Sequence, residues 1–205
     1  MNYISHIDSI NDLSASEGVF TTAQAMRMGI PRDALSHACK AKRLERIAHG
    51  AYKLAGMPNS NTDELMAIWK LTDPAKFSWE RQRKWDGIAI GGTAAATLQN
   101  MGDFYLSPYR IYSPKRINSR SRAASFGTRS MSEKDVEWIN GMPVTKPERT
   151  LVDLCLDHED PSLIEDAFFS AKKRSINLAT LKNQVESLKE NPRYAKALKP
   201  LEKLI

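Results

Sequence analysis

The sequence predicts an α+β protein, with an N-terminal winged helix-turn-helix and a C-terminal mixed α/β domain. Three observations point there. Apolar residues recur at helical spacing through the first forty-odd residues, then give way to two short strand-like pieces. A small, polar stretch punctuated by Gly56 and Pro58 interrupts the pattern. Beyond it, strand-like and helix-like segments alternate to the end of the chain. The expected boundaries are 1–56 for the first domain, 57–61 for a linker and 62–205 for the second domain.

Element by element, Ile4, Ile7, Ile10 and Leu13 form the apolar stripe of a first helix, and Gly18 ends it. Thr21-Thr22 caps a second helix from Ala23 to Met28, which Gly29 closes. Ile30 is a buried plug in the turn. Pro31 opens a third helix, where its missing N–H costs nothing, and that helix runs to about Arg43. Leu44 to Leu54 reads as a hairpin turning at His49-Gly50. Leu44, Ile47, Tyr52 and Leu54 face its core, while Glu45, Arg46, His49 and Lys53 face solvent.

In the second domain, Thr62 or Asp63 starts a helix through Leu71. Ile88-Ala89-Ile90 is a buried strand, and Gly91-Gly92 turns into a helix capped by Thr93 that ends near Met101. Tyr109 to Tyr112 alternates as a strand does, and the Ser- and Arg-rich residues 118–125 read as a mobile loop. Asn140-Gly141 joins a hairpin of Asp135–Ile139 and Met142–Val144. Thr145-Lys146-Pro147-Glu148 has capping-box spacing and opens an apolar helix. Further helices are expected at Pro161–Arg174, Leu178–Leu188 and Arg193–Leu204.

Composition excludes several classes. The chain has 205 residues, 41% of them hydrophobic and 26% charged, which suits a folded protein and not a disordered one. No run reaches the ~18–20 apolar residues of a membrane helix, and no secretory leader is evident, so a cytoplasmic protein without membrane contact is expected. Cys39 and Cys155 are too few for a disulfide framework and lie in apolar helical patterns, as reduced core thiols do. The His and Cys residues are scattered without metal-ligand spacing, so neither metal nor cofactor is expected.

Chemistry concentrates on the third helix. Ala34, Leu35, Ala38 and Cys39 form one face, while Asp33, Ser36, His37 and Lys40 fall at i, i+3, i+4 and i+7 on another. Hydroxyl and cationic groups on such a stripe match base edges in a major groove. Thr22, Arg32 and Arg43 flank the stripe, and Arg46, His49 and Lys53 supply wing contacts to the backbone or minor groove. A polar stripe is also what a solvated face looks like, and many winged helices bind protein instead. The net charge through Pro58 is only +2 of the total +6.

A second basic region lies between Asp103 and Glu133, where six cations and no carboxylate occur. Arg110, Lys115, Arg116, Arg120, Arg122 and Arg129, with Lys146 and Arg149 further on, are candidates for a second anionic contact. Arg149 is also spaced to pair with Asp153. Two Trp residues flank the basic segment Trp79–Trp85, which either stacks on nucleic acid or packs against the second domain.

The runs Gly18–Ala25, Gly29-Ile30 and Leu44–Tyr52 resemble the N-terminal winged helix of AbiEi-type antitoxins, and Asn140–Leu154 is similar to a segment of that family's C-terminal domain. The resemblance implies a type IV toxin–antitoxin system of phage defence by abortive infection. It implies a transcriptional repressor that binds inverted repeats in its own operon promoter and counteracts a cognate nucleotidyltransferase toxin, without a stable complex between them. Ser36, His37 and Lys40 would carry the operator contacts, and Arg46, His49 and Lys53 the wing contacts.

An enzyme is not expected. Gly91-Gly92-Thr93 has the strand–turn–helix setting of a nucleotidyltransferase, which leaves open a degenerate form of that fold. Metal-assisted phosphoryl transfer needs a nearby carboxylate pair, and Asp103 stands alone, while Asp135 and Glu137 precede a hairpin. The acidic run Asp153, Asp157, His158, Glu159 and Asp160 reads as a polar turn and the cap of the next helix. The alternatives are a phosphate-handling enzyme built on Gly92-Thr93 and a protein-binding adaptor.

Overall fold

The computed structural model describes residues 3–119 and 121–205, with side chains from His6 onward; Arg120 and the Ile4 side chain lie outside the described residues. The chain is mixed α+β and divides into two compact units, Met1–Asp86 and Gly87–Ile205.

The first unit runs α1 (Tyr3–Glu17), β1 (Val19–Thr21), α2 (Thr22–Arg27), α3 (Arg32–Lys40), β2 (Leu44–Ala48), β3 (Ala51–Leu54), α4 (Asp63–Leu71) and α5 (Ser78–Arg83). Its sheet has the order β1-β3-β2, antiparallel throughout, so the hairpin and β1 close a small wing. Ile10, Leu13, Phe20, Ala25, Ile30, Ala34, Leu35, Ala38 and Leu44 form its core.

Local chemistry sets the helix ends. Thr21 accepts from the Gln24 N–H at 3.1 Å while Gln24 reaches back to the Thr21 N–H at 2.8 Å, a complete capping box. At the other end of α2, Ile30 N–H bonds Ala25 C=O and Gly29 N–H bonds Met26 C=O. This is a Schellman close, and Gly29 takes the left-handed conformation it requires, at φ +79°. That close drops Ile30 into the core with no exposure, which sets α2 against α3. α3 ends the same way, three residues before the expected Arg43: Arg43 N–H bonds Ala38 C=O, and Lys42 holds φ +55° without being glycine.

The compact unit ends at Asp86, well past the linker expected at 57–61. The reason is α4, which packs on the wing sheet through Ala67, Met66 and Leu71. Lys53, on β3, is 4% exposed and donates to Asp63 Oδ2 at 2.5 Å and to Pro58 C=O at 2.6 Å. The polar stretch is therefore a loop strapped across its own domain. α5 follows α4 into the same unit. Arg81 is buried, lies 4.0 Å over the Trp69 ring, donates to Trp69 C=O at 2.8 Å and pairs with Asp86 at 2.8 Å. The basic Trp79–Trp85 segment thus closes the C-terminus of α4 through Arg81.

The second unit holds β4 (Ala89–Ile90), α6 (Gly92–Leu98), β5 (Tyr109–Ser113), β6 (Ala124–Thr128), β7 (Val136–Ile139), β8 (Met142–Thr145), α7 (Pro147–Leu156), α8 (Pro161–Lys172), α9 (Leu178–Lys189), α10 (Pro192–Ala195) and α11 (Lys199–Glu202). The sheet order is β6-β5-β4-β8-β7, with β5–β6 and β4–β8 parallel. α6 to α11 share one core built on Met101, Leu151, Leu154, Ile164, Phe168 and Leu181. Three local expectations change. Residues 124–128 form an edge strand, which takes in Ala124 and Ser125 from the end of the stretch 118–125 expected as a mobile loop. The last helix is two short ones, because Pro200 has no N–H to continue a ladder. Lys146 is the cap residue of α7 and makes no side-chain cap bond; Glu148 instead accepts from Asn177 N–H at 2.6 Å.

Candidate nucleic-acid interface

Building α3 from its core outward explains its outer face. Ala34, Leu35 and Ala38 are buried, so the helix can be seated in one rotation only. That rotation leaves Arg32, Asp33, Ser36, His37 and Lys40 exposed, with Arg43 exposed just past the helix end. Cys39 is half-buried beside them, and burial pushes its thiol pKa up despite Arg46 nearby. The outer face therefore carries hydroxyl, imidazole and ammonium groups on a rigid support.

The wing contributes less than the sequence suggests. Arg46 and His49 are exposed, and Arg46 donates to His49 Nδ1 at 2.7 Å, which holds the ring proton on Nε2. Lys53 is not a wing contact, since its ammonium is consumed by Asp63 and Pro58. Thr22 is half-buried. Its N–H bonds Gly50 C=O at 2.9 Å and its hydroxyl reaches the same oxygen at 3.4 Å, so it ties α2 to the hairpin turn. Sequence reasoning passed over Lys42. It is exposed at the exit of α3, and its left-handed backbone aims the chain into β2.

The Gly91–Gly92 turn lies between β4 and α6, in the expected setting. Gly91, not Thr93, is the cap residue. The face of β5 opposite the turn carries Arg110 and Tyr112. Tyr112 is fully buried, its ring lies against Gly91 where a Cβ would overlap it, and its hydroxyl donates to Asp157 Oδ2 at 2.6 Å. Burial raises the Tyr112 pKa well above its ordinary value, reinforced by Asp153 and Asp157.

Around that phenol sits a closed ionic cluster. Arg110 donates to both oxygens of Asp157, each at 2.8 Å. Arg129 bridges Asp153 at 2.7 Å and Asp157 at 2.5 Å, and Arg149 reaches Asp153 at 3.1 Å. Burial pulls the Arg110 pKa down, but the Asp157 bond and charge outweigh it and leave it raised. Asp153 has no exposure, and burial raises its pKa against the pull of Arg149 and Arg129. Arg110, Arg129 and Arg149 are thus internal counter-ions rather than parts of a second anionic contact. Likewise, the run from Asp153 is more than a polar turn, though Asp160 does cap α8 through Ser162 N–H at 2.8 Å. Lys115, Arg116, Arg122 and Lys146 keep their charges outside any such cluster. Among the described residues, no group of three or more His, Cys, Asp or Glu side chains is placed to hold a metal, and no helix is long and apolar enough to cross a membrane.

Comparison with known proteins bears on the first unit. Residues 8–55 match the family of AbiEi antitoxin transcriptional regulators, so the likeness read from the sequence holds over the winged helix. Among solved structures, the RV2827C protein of Mycobacterium tuberculosis is similar over 96% of this chain and 71% of its own, at 16% identity and a TM-score of 0.49. No curated protein matches.

Proposed function

We propose that the chain is a DNA-binding autorepressor and antitoxin. In this reading α3 enters the major groove at inverted repeats in the promoter of its own operon, one copy per half-site. The protein counteracts a cognate nucleotidyltransferase toxin of a type IV, phage-defence system in the cytoplasm. One observation carries the reading: the exposed stripe Asp33, Ser36, His37 and Lys40 rides on a helix-turn-helix within the segment that matches AbiEi regulators. Arg32 and Arg43 hold phosphates beside it, and Arg46 and His49 touch the adjacent backbone. Among the described residues of the second unit the anionic contact reduces to Lys115, Arg116, Arg122 and Lys146.

The chain acts by binding rather than by catalysis. In support, the carboxylates near the Gly91–Gly92 turn, Asp157 and Asp153, are already paired with Arg110, Arg129 and Arg149, whereas metal-assisted nucleotidyl transfer needs two carboxylates free to hold the metal.

Fluorescence anisotropy with a duplex from upstream of the gene, and a scrambled duplex of equal composition, tests the DNA reading. The upstream duplex should bind more tightly, with affinity falling steeply as salt rises. His37→Ala and Lys40→Ala should each narrow the preference by about tenfold, the scale of one lost base contact. If both variants bind both duplexes as the parent does, α3 is not the reader. Growth rescue on co-expression with a neighbouring nucleotidyltransferase gene tests the antitoxin half.

A further inference from the structure

The sheet of the second unit ends at β6, and the register shows which of its backbone groups are spent. Tyr109 N–H bonds Ala123 C=O at 2.7 Å and Arg129 N–H bonds Ser113 C=O at 2.9 Å, with Tyr109 opposite Ala124 in a parallel ladder. Backbone groups alternate sides along a strand, so residues 123, 125, 127 and 129 face β5. Ala124, Phe126 and Thr128 then point their N–H and C=O groups away from the sheet. Those three residues line a groove of about 370 Å3, whose other wall is Arg116, Asn118 and Ser119. Among the described residues no backbone bond closes it.

An open edge of this kind is a template for one more strand. Its surroundings select the occupant. Arg116 lines the groove, Lys115 and Arg122 are exposed within two residues of lining residues along the chain, and no carboxylate occurs between Asp103 and Glu133. A second copy would bring the same cations face to face, which opposes pairing of β6 with β6. Single-stranded DNA would satisfy the cations, but a phosphate backbone offers acceptors and would leave the outward carbonyls unpaired. An extended peptide presents donors and acceptors at the strand spacing, and acidic side chains would meet the cations.

We propose that β6 is a docking edge for an extended, acidic segment of a partner protein, which adds as a sixth strand beside Ala124, Phe126 and Thr128. The site is independent of the winged helix, so it stands or falls apart from the DNA reading.

Amide exchange of the full chain tests it in two stages. Without any ligand, the amides of Ala124, Phe126 and Thr128 should exchange as exposed groups while those of Ser125 and Gly127 are protected. Protection of all five, or protection that grows with protein concentration, would show the edge already covered and overturn the proposal. Next, a short blocked peptide of alternating Glu and Val is added. At ten times its Kd, exchange of the three outward amides should slow by about tenfold, with Ser125 and Gly127 unchanged. Phe126→Pro deletes an outward N–H and spares the β5 ladder, and should abolish that slowing. Should it perturb the fold, the double change Arg116→Glu with Arg122→Glu on the exposed loop should weaken the peptide at least tenfold. Equal binding of a Lys and Val peptide, or slowing of the same amides by oligo-dT but not by the acidic peptide, refutes it.

Discussion

Lys53 separates two accounts of the wing. If it were a DNA contact, replacing it would cost affinity and leave the fold alone. In the structure its ammonium is 2.5 Å from Asp63 Oδ2 and 2.6 Å from Pro58 C=O, with the residue 4% exposed. Lys53→Met keeps the buried stem and strands Asp63. Breaking a fully buried pair from one side costs about 3–5 kcal/mol, because the remaining charge is left unpaired. The Asp63 side chain is 18% exposed and keeps the Ser60 N–H at 3.0 Å, so water and that bond recover part of the loss. The expected cost is about 2 kcal/mol, roughly a thirtyfold shift in the folding equilibrium of the first unit. Exchange of the β3 amides in the intact protein reads that shift directly. Adding Asp63→Leu should return most of the loss, since the orphan charge goes with it. A duplex-binding series over salt is the companion assay. One lost phosphate contact lowers the slope of log K against log salt by about 0.9, and Lys53→Met should lower it by nothing. Unchanged exchange together with a slope reduced by about one would refute the structural account and restore Lys53 to the wing.

Other expectations follow from single residues. Lys42 holds φ +55° at the end of α3, so Lys42→Gly should stabilise the chain by about 0.5–1 kcal/mol, seen as a higher urea midpoint; an unchanged midpoint would mean the helix ends otherwise. Gly91→Ala puts a methyl into the Tyr112 ring and should cost the second unit more than about 2 kcal/mol by the same measure, whereas a neutral result would deny the close approach. The Glu80 carboxyl, bonded by Arg27 and the Phe77 N–H, is held at about 2. Its folded value is depressed, so its contribution is present above the unfolded value near 4.5 and lost as pH falls through about 2. A carboxyl-carbon titration should show this, and Arg27→Ala should move the midpoint upward. Burial pushes the Cys155 thiol up to about 12, so iodoacetamide at pH 8 should leave it unmodified until urea unfolds the chain; rapid alkylation of the native protein would contradict its burial.

The helix-turn-helix was legible because its signals are local. The Thr21–Gln24 box spans four residues, the Gly29 close spans six, and the apolar face of α3 repeats at helical spacing. The Asn140-Gly141 hairpin was legible for the same reason, with Ile139 opposite Met142 as a two-residue turn requires. What stayed hidden was non-local. Lys70 meets Glu17 across 53 positions, and Arg110 meets Asp157 across 47. A pattern that reads every Lys and Arg as wet has no means of finding a partner that far away. β6 was missed for another reason. Ala-Ser-Phe-Gly-Thr has little strand propensity, and an edge strand needs less, because one neighbour and one backbone ladder suffice.

The glycine turn of the second unit acquires a different meaning once its neighbours are known. A backbone bare of Cβ atoms after a strand invites the idea that a phosphate comes close. Here the group that comes close is the protein's own Tyr112 ring, against both Gly91 and Gly127. A phenol buried there needs an acceptor, and Asp157 supplies it from beyond the end of α7. A carboxylate that deep needs cations, and Arg110 and Arg129 supply them from β5 and from beyond β6. Asp153 draws on Arg129 and Arg149 in the same way. Each member is there because another would be unpaired without it, so the cluster consumes three of the cations that composition offers to an outside anion. With the cluster counted in, the unit carries eighteen cations against fourteen carboxylates. What the cluster removes is charge at the sheet's centre. Among the described residues, Lys115, Arg116 and Arg122 near β6 and Lys146 after β8 stay outside the cluster, and the three near β6 are why an anionic partner belongs at the edge and not at the glycine turn.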